Sequence, residues 1–186
     1  MPYPPKAVCL HLATLYSDYV HDQLHTLFHR PTFIVEVAQA QVSPGLMFAV
    51  MALSANFSSH AFFKGASPRS RGGRYAKRAA QLLNSSVVYL EFVQACVLLG
   101  ACKIIEGDAA RESMHYGMAC CMAQLLDLPY RQCTSRLKRE VNLRGTRLLL
   151  ASLPKCWQSQ RGIRLCVSDK WSSTGVHAAI DHNATD

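Results

Sequence analysis

Apolar residues in this chain recur at three- and four-residue steps from the first turn almost to Leu153, and no other feature constrains the fold as strongly. No stretch of four to eight residues alternates with period two, so the pattern predicts an all-α domain of antiparallel packed helices with few strands or none. Val8, Leu12, Leu15, Tyr16, Tyr19 and Leu24 line one face of a helix predicted from about Lys6 to Leu27. Pro31 closes it, because a residue before proline avoids helical dihedrals. A short helix is expected from Thr32 to Gln41. Ser43 then reads as an N-cap with Pro44 at the first helical position of a buried helix running through Ala55.

Lys64 to Gly73, with Ser67-Pro68 and Gly72-Gly73 and no apolar period, is expected to be a loop. Helical spacing resumes through Tyr75, Ala79, Leu82 and Leu83. Tyr89 to Glu106 is apolar almost all round, wetted only by Glu91, Gln94 and Lys103, and belongs in the centre of the domain. Gly107 ends that helix and Asp108 caps the next. The latter runs to about Leu126, with Met114, Met118, Cys121, Met122 and Leu125 expected to face inward. Pro129 ends it, and a basic helix is predicted from about Thr134 to Leu153. The helical domain is placed at residues 1–157, with a poorly ordered tail at residues 158–186.

Composition narrows the function classes. With 186 residues, 49% of them hydrophobic and 17% charged, general disorder is excluded and one domain with a real core is expected. The net charge of +8 is uneven: residues 131–170 hold ten basic residues against Glu140 and Asp169, which accounts for the whole excess. Aromatic residues that could stack on bases are nearly missing there, Trp157 excepted. Charge alone gives salt-sensitive, sequence-blind binding. A second basic stretch, Lys64, Arg69, Arg71, Arg74, Lys77 and Arg78, contains no acidic residue and is a candidate import or contact loop.

The eight cysteines include no C-x-x-C pair, the usual mark of a structural zinc site, and most sit among apolar residues. They read as reduced, buried thiols in an intracellular protein. The N-terminus shows no signal-peptide pattern, so the Asn-x-Ser/Thr matches at Asn56, Asn84 and Asn183 read as chance. The charge-free run from Val37 to Phe63 is broken by polar residues and Pro44, too soon for a membrane span. His21, His25 and His29 fall at four-residue steps, and His21-Asp22-Gln23-Leu24-His25 approaches the zinc-binding H-E-x-x-H pattern. Asp22 is one methylene shorter than the Glu that chemistry requires. No G-x-S-x-G nucleophile elbow is present. No enzyme activity and no cofactor are expected.

One block is not explained by helix-making alone. His29-Arg30-Pro31-Thr32-Phe33, preceded by Leu15-Tyr16 and Tyr19-Val20-His21, resembles the opening of the regulatory, or middle homology, domain of fungal zinc-cluster transcription factors. The similarity continues in order through Tyr75-Ala76 with Ala79-Ala80 and Leu82-Leu83, then Val93-Gln94-Ala95, Leu98-Leu99 and Gly107-Asp108. It ends on His115-Tyr116-Gly117-Met118-Ala119 and the run from Met122 to Leu128. The resemblance covers roughly residues 5–130. It implies a nuclear regulatory domain that modulates transcription through partners in the transcription machinery, a full-length relative or a small-molecule effector. Control of metabolic or secondary-metabolite genes is typical of such proteins.

Two departures accompany the match. The two C-x-x-C arms of the family's zinc-cluster module are missing, and the stretch from Arg139 to Arg147 lacks the Trp pair usual in the family. A shortened member is therefore expected, and no direct sequence-specific DNA binding from this chain alone. The alternatives are a small metal-dependent hydrolase using His21 and His25, and an inactive truncated fragment.

Overall fold

A computed structural model describes residues 2–21 and 27–126. Six α-helices follow one another: α1 (Lys6–Tyr19), α2 (Arg30–Ala38), α3 (Pro44–Ser54), α4 (Pro68–Leu82), α5 (Leu90–Glu106) and α6 (Ala109–Leu125). Two 3-10 turns, Ala55–Phe57 and Ala61–Phe63, link α3 to α4. There is no strand among the described residues, so the all-α expectation holds. None of these helices is long and apolar enough to cross a membrane. The predicted helix over 134–153, the tail at 158–186 and the basic stretch over 131–170 lie outside the described residues.

The hub is α3. Every residue from Gly45 to Ser54 is buried, because α1, α4 and α5 all pack on it. Full burial of side chains such as Leu46, Phe48, Val50 and Leu53 contributes about 2 kcal/mol each. Pro44 stands in the first turn as the sequence predicts, whereas Ser43 occupies the N-cap position without a side-chain capping bond. Helix α5 is buried from Phe92 to Cys102, α6 packs against it, and α2 packs on α1.

The structure corrects four sequence expectations. First, α1 stops at Tyr19 instead of reaching Leu27. The backbone N–H groups of Val20 and His21 both donate to the Tyr16 carbonyl, at 2.9 Å each, and the chain then leaves the helix. In a continuous helix His21 and Phe28 would be about 10.5 Å apart along the axis. Instead, His21 Nε2 lies 2.8 Å from the Phe28 carbonyl oxygen. Tyr19, expected inside, is 56% exposed and stacks on Phe57. The second helix also begins earlier than expected, with Pro31 in its first turn.

Secondly, the supposed loop over Lys64–Gly73 is helical from Pro68 onward. Gly72 is inside α4 because α3 passes too closely for any side chain: a β-carbon there would lie 2.2 Å from the Ala52 carbonyl oxygen. The Gly72 N–H donates to Asn56 Oδ1 at 3.2 Å. The helix gives up roughly 1 kcal/mol of propensity at each glycine, and Gly72 gains a close helix crossing in return.

Thirdly, Gln94 does not wet α5 but is 2% exposed and bonded within the core. Fourthly, α6 turns a different face inward. His115, Tyr116, Ala119, Cys120 and Ala123 are buried, while Met114 and Leu125 are exposed and Met118, Cys121 and Met122 are half-buried. Small side chains let α6 sit close to α5. At Gly100 a β-carbon would come within 2.8 Å of the Tyr116 ring, so the tyrosine occupies the space that glycine leaves. The helix stop and start are as expected: Gly107 is left-handed at φ +74°, and the Asp108 side chain accepts from the Arg111 N–H.

Candidate functional site

Two groups of sequence-predicted residues take defined places. The first is the corner His29, Arg30, Pro31, Thr32 and Phe33, which carries the chain from α1 into α2. His29 stands at the N-cap of α2, with Nδ1 2.8 Å from Thr32 Oγ1. Arg30 pairs with Asp18 of α1 across the bend. Phe33 is buried and stacks on Phe28 at a centroid distance of 4.4 Å, while both rings stand edge-on to the fully buried Tyr16. Such aromatic packing adds to the area the rings bury.

Two side chains then satisfy the backbone of the bend. His21 Nε2 meets the Phe28 carbonyl, which requires that this nitrogen carry the proton. Gln94 Nε2 donates to the Leu27 carbonyl at 3.0 Å, tying the corner to α5. Neither partner was legible from spacing, although Gln94 belongs to the Val-Gln-Ala block. A buried carbonyl without a donor costs about 1–3 kcal/mol, so these two bonds matter to the position of the bend.

The five described histidines all carry structural hydrogen bonds. His11 bonds Ser58 Oγ at 2.9 Å, and His60 Nδ1 accepts from the Phe62 N–H at the start of a 3-10 turn. His115 Nδ1 lies 2.7 Å from the Arg111 carbonyl. His25, the second member of the candidate zinc pair, lies outside the described residues. No cluster of three His, Cys, Asp or Glu side chains suited to a metal occurs among the described residues.

The five described cysteines are free, and all but Cys121 are buried. Burial pushes the Cys96 and Cys102 thiols up to about 12 and Cys120 to about 11. Cys9 also moves up, from burial first, partly offset by its hydrogen bond with Tyr3. Thiols held this far above neutrality are protonated and poor nucleophiles.

The second group is basic. Of its six members, Lys64 follows the second 3-10 turn and the other five lie in α4. Arg71 is spent within the fold, donating to the Ser58 and Ala66 carbonyls. Arg74 lies over the Phe63 ring at 5.7 Å and over the Tyr75 ring at 5.1 Å. Arg78 donates to Gln81 Oε1, and its Nε is buried without a hydrogen-bond partner. Arg69 and Lys77 are exposed. None of the six meets a carboxylate among the described residues, whereas Arg30, Lys103 and Arg111 each pair with one.

Comparison with known proteins agrees with this layout. Residues 13–153 match the fungal specific transcription factor domain, a span that takes in the corner and helices α2 to α6. An uncharacterized transcriptional regulatory protein of Schizosaccharomyces pombe is 33% identical over 136 residues. That stretch is 72% of this chain and 14% of the relative, so the chain spans a small part of the relative's length. No solved structure matches. With its corner, its helix order and three quarters of its length inside the match, the chain belongs to the family of fungal specific transcription factor domains.

Proposed function

We propose that this domain regulates transcription by binding protein partners in the nucleus, without chemistry of its own. The observation that carries the reading is how the polar side chains are used. The described histidines hold the fold together, the buried thiols stay protonated, and the cations of α4 meet no carboxylate among the described residues. A helical frame that presents such a cationic face suits recognition. The relative's description as a transcriptional regulatory protein supports the same role.

The test is capture and imaging of the tagged full chain in a fungal host. Nuclear fluorescence together with recovery of transcription-machinery subunits or a full-length family member is the expected result. Cytoplasmic fluorescence with no such protein recovered would overturn the reading.

A further inference from the structure

The charges on α4 are costly where they stand. Between Glu36 and Glu91 the chain has no acidic residue, yet six basic ones fall between Lys64 and Arg78. Arg69 and Arg71 sit in the first turn of α4, where the helix dipole already presents positive charge, and that turn holds no acidic residue. Self-repulsion of this kind lowers folding stability, and breaches of a local rule concentrate at functional sites.

The surroundings of the cations narrow what they can bind. The guanidinium groups of Arg71 and Arg74 lie over the Phe63 ring, which orders them before any partner arrives. Phe62, 43% exposed, stands edge-on to Phe63. Arg71 is also held by the Ser58 carbonyl, and the neighbouring Phe57, 49% exposed and stacked on Tyr19, belongs to the 3-10 turn that packs on α4. The cationic helix thus packs on 3-10 turns that carry exposed apolar rings. From Arg69 to Lys77 it spans about 12 Å of helix, the length of about four extended residues.

We propose that the outer face of α4, with Arg69, Arg74 and Lys77 flanked by Phe57 and Phe62, docks an acidic polypeptide segment that carries apolar side chains. Carboxylates meet these cations, of which Arg74 is ordered by Phe63, and the apolar side chains cover the rings. A nucleic-acid duplex fits less well, since its outside offers phosphates but nothing apolar to cover Phe57 and Phe62. This inference rests on the reading that the domain works through protein partners, and it names the chemistry of one such partner.

The test uses the purified full chain and fluorescence anisotropy with a short labelled peptide built of Asp, Glu, Phe and Leu. Controls are the same peptide with Asn and Gln in place of the acids, a DNA duplex and a single-stranded oligonucleotide. The acidic peptide should bind, and its affinity should fall about tenfold between about 50 and 300 mM salt. Arg74→Glu with Lys77→Glu should weaken it by about tenfold or more. Lys77→Glu alone, at an exposed position, guards against misfolding and should still weaken it several-fold. Arg111→Glu, which lies on α6, should leave affinity within about twofold. Failure of the acidic peptide to bind, equal binding of the neutral peptide, or tighter binding of either nucleic acid would overturn the proposal. Capture of transcription components with no peptide binding refutes this surface and leaves the broader reading standing. Peptide binding with no such capture does the reverse.

Discussion

Gln94 Nε2 donates to the Leu27 carbonyl oxygen at 3.0 Å across 67 positions of sequence, with both residues buried. One amide thereby fastens the α1–α2 bend to the central helix. Gln94→Met keeps the volume and removes the donor, leaving a buried carbonyl unsatisfied. The expected cost is about 2 kcal/mol, read as a lower urea midpoint at unchanged slope. A loss below about 0.5 kcal/mol would show that the bend holds without this bond.

Adjacent glycines of α4 should respond with opposite signs. Gly72→Ala drives a methyl group into the Ala52 carbonyl, a backbone atom that cannot rotate away, and should cost about 3 kcal/mol. Gly73→Ala points into open space and should stabilise by up to about 1 kcal/mol through helix propensity. Thermal melts of the two variants compare them directly. Equal destabilisation by both would mean that the segment is not helical.

At the His29–Phe33 corner the apolar contacts should outweigh the ionic one. Arg30 and Asp18 are each more than a third exposed, so Asp18→Asn should cost less than about 1 kcal/mol. Phe33→Ala empties a buried site stacked on Phe28 and should cost about 3–5 kcal/mol. Chemical denaturation of both variants gives the ordering, and a larger loss from Asp18→Asn would reverse it.

The buried thiols predict an alkaline limit to stability. The ordinary thiol value is near 9, and Cys96 and Cys102 are raised to about 12 by burial. A raised value in the fold means that the folded chain keeps the proton longer than the unfolded chain. Their contribution is therefore complete below about pH 9 and is lost as the pH climbs toward 12. Urea midpoints should be flat on this account up to about pH 8.5 and fall above it, less steeply in Cys96→Ala. Alkylation mapped by mass spectrometry at neutral pH should spare Cys96, Cys102 and Cys120 until the chain is unfolded.

The parts legible in the sequence were those decided locally. Ser43-Pro44 marks the start of α3, and Gly107-Asp108 marks the boundary of α5 and α6, because proline and a left-handed glycine act through their own dihedrals. The parts that were not legible depend on distant partners. Apolar spacing continues past Tyr19, while the contact of His21 with the Phe28 carbonyl that accompanies the end of α1 depends on the bend. Gly72 looks like a loop residue until Ala52 of α3 is placed against it. Gln94 looks solvent-facing until Leu27 supplies its acceptor. The basic residues of the candidate contact segment were visible, but the ordering of Arg71 and Arg74 by Phe63 required the fold.

The most direct test of the central claim is a tethered reporter. The full chain, fused to an unrelated DNA-binding module in a fungal host, should change expression of a reporter carrying that module's site several-fold. The change should disappear with Phe33→Ala, which disrupts the corner, and shrink with Arg74→Glu and Lys77→Glu, which leave the core intact. A reporter output equal to that of the DNA-binding module alone, with the fusion present at normal level in the nucleus, would contradict a role in transcription regulation.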